Sequence, residues 1–400
     1  MKAIDIFTEA VEKHPPDQWD DFLNQKCGVD SDLRNRVSDL LEGHLEQNPL
    51  LEMGNLFEVF PTERALERPG TTIGPYKLIE EIGEGGFGII FMAEQLQPIR
   101  RKVALKILKP GLDSRQVIAR FEAERQALAL MEHPNIAAVL DAGLAPSGRP
   151  YFVMELVKGL PINEYCDQLK LSLHSRLQLF VDLCGAVQHA HMKGIIHRDL
   201  KPNNVLVTQC DGKPLVKVID FGIAKVTGQL QLTDKTLVTG FAQVIGTPAY
   251  MSPEQAAFSS VDVDTRSDVY SLGVLLYEQL TGTTPFAVDS IQDASFDEKL
   301  RIIREKEPPK PSFCISTLRA ARLATVSEQR QLDPTKLRRH FKRELDWIVM
   351  KAIEKDRSRR YPSALALASD VSAFLVGGDV EACPPSDIYR LTKFARRNRV

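Results

Sequence analysis

Cysteine is sparse in this chain of 400 residues: Cys27, Cys166, Cys184, Cys210, Cys314 and Cys383 are scattered, with no C-x-x-C pair. That spacing offers no metal site and suits a reducing cytosol. Neither sign of charge is in excess. The 51 Lys+Arg against 53 Asp+Glu leave a net −2, which argues against nucleic acid or a generally anionic surface as the partner. Long apolar runs are missing too. No stretch reaches the ~18 residues of a membrane-spanning helix, and Met1–Asp5 opens without the apolar stretch of a signal peptide. The chain is therefore expected to be soluble and cytoplasmic. The remaining composition, 43% hydrophobic and 26% charged, is that of an ordinary globular protein, long enough for two or three domains.

Residues 1–68 read as a small helical region without chemistry. Leu33, Val37, Leu40, Leu41 and Leu45 recur at helical spacing between Asp30 and Gln47, and Trp19, Phe22 and Leu23 follow Pro15-Pro16. Residues 69–75 read as a linker, so a fragment starting near Pro69 is expected to fold alone. From Tyr76 the pattern changes to short strands at Tyr76–Ile82, Ile89–Gln95 and Lys102–Leu108. A helix is expected at about Ser114–Glu132, then strands at Ala137–Leu144 and Tyr151–Leu156. Beyond Leu173 the chain reads as mostly helical, with short strands near Val205 and Val216 and final helices at Asp346–Glu354 and Ser363–Val376. A strand-rich part followed by a helical part is α+β. Residues 305–335 read as a loop insertion, and the tail 377–400 is basic.

The most specific signal is His197-Arg198-Asp199-Leu200-Lys201-Pro202-Asn203-Asn204. It sets a carboxylate, a cation and an amide within one turn of chain. Phosphoryl transfer needs a group to accept a hydroxyl proton, an oxygen ligand for Mg²⁺ and positive charge near the moving phosphate. Asp199 is the candidate base, Lys201 the cation and Asn204 a metal ligand. Asp220-Phe221-Gly222 supplies a second metal ligand, Asp220. Upstream, Gly83-Glu84-Gly85-Gly86-Phe87-Gly88 follows a strand, and Ile89-Ile90-Phe91-Met92 continues as a strand rather than opening a helix. That disfavours a dinucleotide fold. Lys106 in Val103-Ala104-Leu105-Lys106 needs an acidic partner if buried, whereas taken alone it would be a lysine snorkelling from a strand end. Glu122 and Glu124 lie about 200° apart on the following helix. Phe121 and Leu128 share the face of Glu124, so Glu124 is the expected partner of Lys106.

With these motifs in this order, the chain resembles the eukaryotic-type (Hanks-type) serine/threonine protein kinases, most closely the bacterial receptor-like ones, over about Tyr76–Val376. The resemblance implies a bilobal fold, with a β-rich N-lobe at 76–157, a helical C-lobe at 158–376 and the helical region as an appendage. It implies ATP and Mg²⁺ as cofactors, and catalytic roles for Asp199, Lys201, Lys106 and Glu124. It places ATP among Ile82, Gly83, Glu84, Gly85, Gly86, Phe87, Gly88, Ile90, Ala104, Lys106, Met154, Glu155, Val157 and Leu206. Met154 matches the gatekeeper, and Glu155 to Val157 the hinge. Glu254 is expected to pair with Arg360, and Asp268 to brace the catalytic loop. Thr236 and Thr239 are the expected activation-loop phosphosites.

Protein substrates are implied by Gly246-Thr247 through Ser252-Pro253-Glu254, which small-molecule kinases of this fold lack. A homodimer for trans-autophosphorylation is also implied. So is membrane association through a segment beyond the C-terminus, flanked by Arg390, Lys393, Arg396, Arg397 and Arg399. A pseudokinase acting as a nucleotide-responsive binding module is the alternative. It would be marked by loss of Lys106, Asp199 or Asp220, and all three are present.

Overall fold

The computed structural model describes residues 19–27, 34, 37–38, 67–85, 88–109, 131–221, 248–257, 263–286 and 295–384. The expected helix carrying Glu124, the loop residues Gly86 and Phe87, the segment holding Thr236 and Thr239, and the tail from 385 lie outside the described residues, as does most of 30–47. Residues 1–66 and 67–400 are two compact units. In the first, helix α1 (Trp19–Cys27) buries Trp19, Phe22, Leu23 and Cys27, an i, i+3, i+4, i+8 stripe on one face.

The second unit opens with a six-stranded antiparallel sheet. Its strands are β1 (Thr72–Ile73), β2 (Tyr76–Glu84), β3 (Gly88–Gln95), β4 (Arg101–Leu108), β5 (Val139–Leu144) and β6 (Pro150–Glu155), in the order β1-β2-β3-β4-β6-β5. One face is apolar. Leu78, Phe91, Val103, Leu105, Ile107 and Val153 pack there with almost no exposure. The other face is left to the cleft.

Strand β7 (Leu160–Pro161), helices α2 (Ile162–Gln168) and α3 (Leu173–Met192), and the hairpin β8 (Val205–Cys210) and β9 (Lys213–Val218) begin the helical half. Asn135 stitches the two halves together, donating from Nδ2 to Val216 O at 2.8 Å and accepting from Val218 N at 2.8 Å. Helices α4 (Pro253–Ala256) and α5 (Thr265–Thr281) follow. Helix α5 is buried nearly all round, which marks it as the central post of the domain. Gly273 sits where α5 meets helix Asp346–Ala352. A Cβ there would lie 2.7 Å from Ala352 Cβ and Ile353 Cγ2, so only glycine allows the approach.

Helices α6 (Phe296–Glu305), α7 (Pro311–Thr317), α8 (Ala320–Gln329), α9 (Pro334–His340), α10 (Asp346–Ala352) and α11 (Ala364–Leu375) complete the unit. Helices α7 and α8 correct the reading of 305–335 as a loop.

The stretch 69–75 is not a free linker. Strand β1 pairs with β2, Ile73 is only 1% exposed, and Gly70 N donates to Leu78 O at 2.8 Å. Just before it, the buried carboxylate of Glu67 takes an ion pair from the buried Arg149 guanidinium and a hydrogen bond from the Ser147 hydroxyl. Removing one partner of a buried pair costs about 3–5 kcal/mol. A fragment starting at Ala65 should therefore melt several degrees above one starting at Pro69. Equal melting temperatures would show that the pair contributes nothing.

Candidate active site

Strand alternation sets the first half of the site. Along β4, Val103, Leu105 and Ile107 point into the sheet core, so Ala104 and Lys106 share the opposite face. Cross-strand partners share a face as well. Ile90 and Phe152 therefore flank Lys106, and Met154 lies beside Ala104. Gly83 pairs with Ile90 across β2 and β3. Gly88 begins β3 where a Cβ would stand 2.5 Å from Ile107 O, which requires glycine. Gly85 N closes the turn on Gly88 O at 2.9 Å. Ile82 is 46% exposed at the rim. Glu84, also exposed, pairs with Lys109 at 2.6 Å. Half-buried Leu206 faces away from the buried Val205 and Val207 on β8.

Two of the predicted residues meet directly. Lys106 Nζ forms an ion pair with the Asp220 carboxylate. Glu124, the expected partner of Lys106, lies outside the described residues. At the expected hinge, Glu155 Oε2 is held by Lys217 Nζ at 2.9 Å and by Ala138 N at 3.3 Å. Val157 is half-buried just beyond it. The motif reading missed Lys217, because it reaches Glu155 only through the β8–β9 hairpin.

The candidate catalytic run is built around Asp199. A 3-10 turn at Pro202–Asn204 brings Asn204 back, so that its Nδ2 donates to Asp199 O at 2.8 Å and to Asp199 Oδ2 at 3.1 Å. Lys201 Nζ sits 2.9 Å from the same Oδ2. Asn204 O accepts from Ile219 N at 2.9 Å, fixing Asn204 beside Asp220. Arg198 and Asp220 both hold positive φ, 63° and 57°, a region non-glycine residues seldom occupy.

Asp268, on α5 and fully buried, holds this loop from below. It accepts from His197 N and Arg198 N, each at 2.8 Å, and lies 2.7 Å from His191 Nε2. Burial by itself would raise its pKa. The hydrogen bond and charge of His191 outweigh that and hold the carboxyl below its ordinary value of 3.8.

The segment around Ser252–Gln255 is tied to the same centre. Ser252 and Gln255 form a capping box on α4, and Gln255 Nε2 donates to Arg198 O at 2.9 Å. Glu254 meets Arg360 through two parallel bonds of 2.7 and 2.8 Å. Tyr250 donates its hydroxyl to Glu278 at 2.5 Å, a contact no sequence pattern signalled.

His197 reports on the integrity of the site. Its Nδ1 accepts from Asp199 N at 3.3 Å, so the ring proton sits on Nε2, which donates to Ile219 O at 3.2 Å. The ring is neutral, and burial pushes its pKa below 6.5. The unfolded chain therefore takes up this proton first as pH falls. Stability should decline below about pH 6.5, and decline further once Asp268, with its lowered pKa, must protonate below about pH 3.8. Urea midpoints of wild type and His197→Phe between pH 7 and pH 5 test this. The variant should lose part of the slope, and identical slopes would refute the assignment.

A protein kinase domain family model matches residues 76–371. The chain is 36% identical over 331 residues to the serine/threonine-protein kinase pkn3 of Myxococcus xanthus, covering 80% of this chain and 58% of that protein. It is 36% identical over 301 residues to the serine/threonine-protein kinase PknB of Mycobacterium tuberculosis, covering 74% and 42%. The chain thus spans about half the length of the curated relatives it matches. Among solved structures, the PknI kinase domain of Mycobacterium tuberculosis superposes with a TM-score of 0.53 at 22% identity, covering 77% of this chain and 100% of that one, a likeness of fold. With three quarters of its length matched to the family model, the chain belongs to the protein kinase domain family.

Proposed function

We propose that this chain transfers the γ-phosphoryl group of ATP to serine and threonine hydroxyls of proteins, in bacterial signalling. The observation that carries the reading is the joined set Lys106–Asp220 and Lys201–Asp199–Asn204, five groups on one hydrogen-bonded framework. Asp199 accepts the proton of the attacking hydroxyl, and Lys201 sits where charge on the transferring group is balanced. Lys106 orients the α- and β-phosphates, with Glu124 as its orienting partner.

The donor set fits Mg²⁺. Asp220 offers a carboxylate, and Asn204, donating through Nδ2, leaves its amide oxygen as the ligating atom. Bound there, Mg²⁺ neutralises phosphate charge. Ala104, Met154 and Leu206 supply apolar walls for the adenine, and Glu155 to Val157 the hinge that meets its edge.

Autophosphorylation in trans within a homodimer, at Thr236 or Thr239, belongs to the same reading, as does membrane association through a segment beyond residue 400. No described helix is long and apolar enough to cross a membrane.

The test is incubation of the chain with Mg²⁺ and γ-labelled ATP, with and without myelin basic protein, followed by phosphoamino-acid analysis. Label on serine and threonine is expected. No transfer, or label on tyrosine alone, would refute the proposal.

A further inference from the structure

The turn from α9 to α10 carries a concentration of positive charge that catalysis does not use. Leu337, Phe341 and Leu345 are fully buried, so they anchor this stretch on the core. Around them, Lys336, Arg338, Arg339, Lys342 and Arg343 are all exposed. Backbone geometry reinforces the display. Arg343 holds φ 87° and ψ −94°, a sparsely populated turn conformation that persists only where the surroundings impose it.

Glu344 is the one acid inside this stretch, half-buried beside five exposed cations, and Lys336 acts on the charge of Asp333. The other nearby acids are engaged elsewhere. Glu328 is taken by Lys170 at 2.5 Å. Asp333 caps α9 by accepting from Thr335 N at 2.9 Å. Asp346 is buried and accepts from Ser312 N and Oγ at 2.9 and 2.6 Å. Among the described residues none of these five cations is within salt-bridge distance of an acid. In a chain of net charge −2, this is a local field, suited to a local counter-charge.

We infer that this face is a docking surface for an acidic segment of a protein partner, separate from the catalytic groups. Two other polyanions fit it less well. A helix that lies on a membrane turns its apolar stripe outward, whereas here Leu337 and Phe341 are 0% exposed. Single-stranded nucleic acid needs aromatic platforms for its bases, and the phenylalanine of this stretch, Phe341, is buried.

The test uses the full chain and a fluorescein-labelled peptide of twelve alternating Asp and Glu, with binding read by anisotropy at low salt. Binding weakened by added salt is expected. The triple variant Lys336→Glu, Arg339→Glu, Lys342→Glu should bind about tenfold or more weakly. The control Lys77→Glu, Arg100→Glu, Lys102→Glu makes the same charge change on exposed positions of the N-lobe sheet and should bind like wild type.

Equal binding by the α9 variant, or equal loss in the control, would overturn the proposal. So would tighter binding of duplex DNA or of phosphatidylserine vesicles than of the peptide. The result does not depend on catalysis, because the Asp199→Asn chain should bind the peptide as wild type does.

Discussion

Asp199→Asn is expected to lower turnover by about 10²–10⁴-fold, the usual contribution of a positioned acid–base group, with the fold and Mg-ATP binding kept. The substitution is nearly isosteric. The loop backbone does not depend on the carboxylate, because Asp268 holds His197 N and Arg198 N, and Asn204 Nδ2 still reaches the backbone oxygen of residue 199. What is lost is the oxygen 2.9 Å from Lys201 that can receive a proton. Asp220→Ala should behave differently. It removes the carboxylate that meets Lys106 and would bind the metal, so the thermal shift on adding Mg-ATP should disappear. The measurements are γ-phosphate incorporation into myelin basic protein and melting with and without Mg-ATP. An Asp199→Asn chain that is folded and as fast as wild type would remove Asp199 from the mechanism. A thermal shift retained in Asp220→Ala would remove Asp220 from the nucleotide site.

Much of this site could be read from the chain because its chemistry is local. His197 to Asn204 fold into one turn, so their spacing already states which groups meet, and Asn204 duly reaches back to Asp199. The alternation along Val103–Lys106 likewise names the cleft face without further information. The parts that were not legible depend on distant contacts. Asp268 meets His191 across 77 positions, and Lys217 meets Glu155 across 62. No pattern of types at fixed spacing encodes either pair.

Strand β1 has two residues, too few for a period to show, and it was read as linker. Helix α8 was read as loop because it buries only Val326 and Ser327 and has no side-chain cap. Its end is instead held by Arg330, whose Nε donates to Leu280 O at 2.7 Å. Burial pulls that guanidinium down to about 10, so tertiary contact rather than local propensity keeps this turn in place.

Arg360→Met is expected to give the largest loss of stability, about 3–5 kcal/mol, without touching the catalytic groups. All five N–H of the guanidinium are used. Nε donates to Glu354 O at 2.7 Å, Nη1 to Glu254 Oε1 at 2.7 Å and Arg266 O at 3.0 Å, and Nη2 to Glu254 Oε2 at 2.8 Å and Lys355 O at 3.1 Å. The group also lies over the Tyr270 ring at 5.0 Å. The side chain has 0% exposure and that of Glu254 has 9%, so water cannot replace what is removed. Burial favours the neutral acid of Glu254. Hydrogen bonds and charge from Arg360, with Ser267, overcome that and hold the carboxyl below its ordinary range. Without Arg360 the carboxylate is left buried with no ion-pair partner, and only Ser267 still holds it. Arg360→Lys keeps the charge but has three donors rather than five, so it should fall between the two. Melting temperature should drop by roughly 10 °C in Arg360→Met. Adding Glu254→Gln should then cost little more, because the stranded charge is gone. Fully additive losses in that double variant would show that the two side chains act independently, and the assignment of the pair as one anchoring unit would fail.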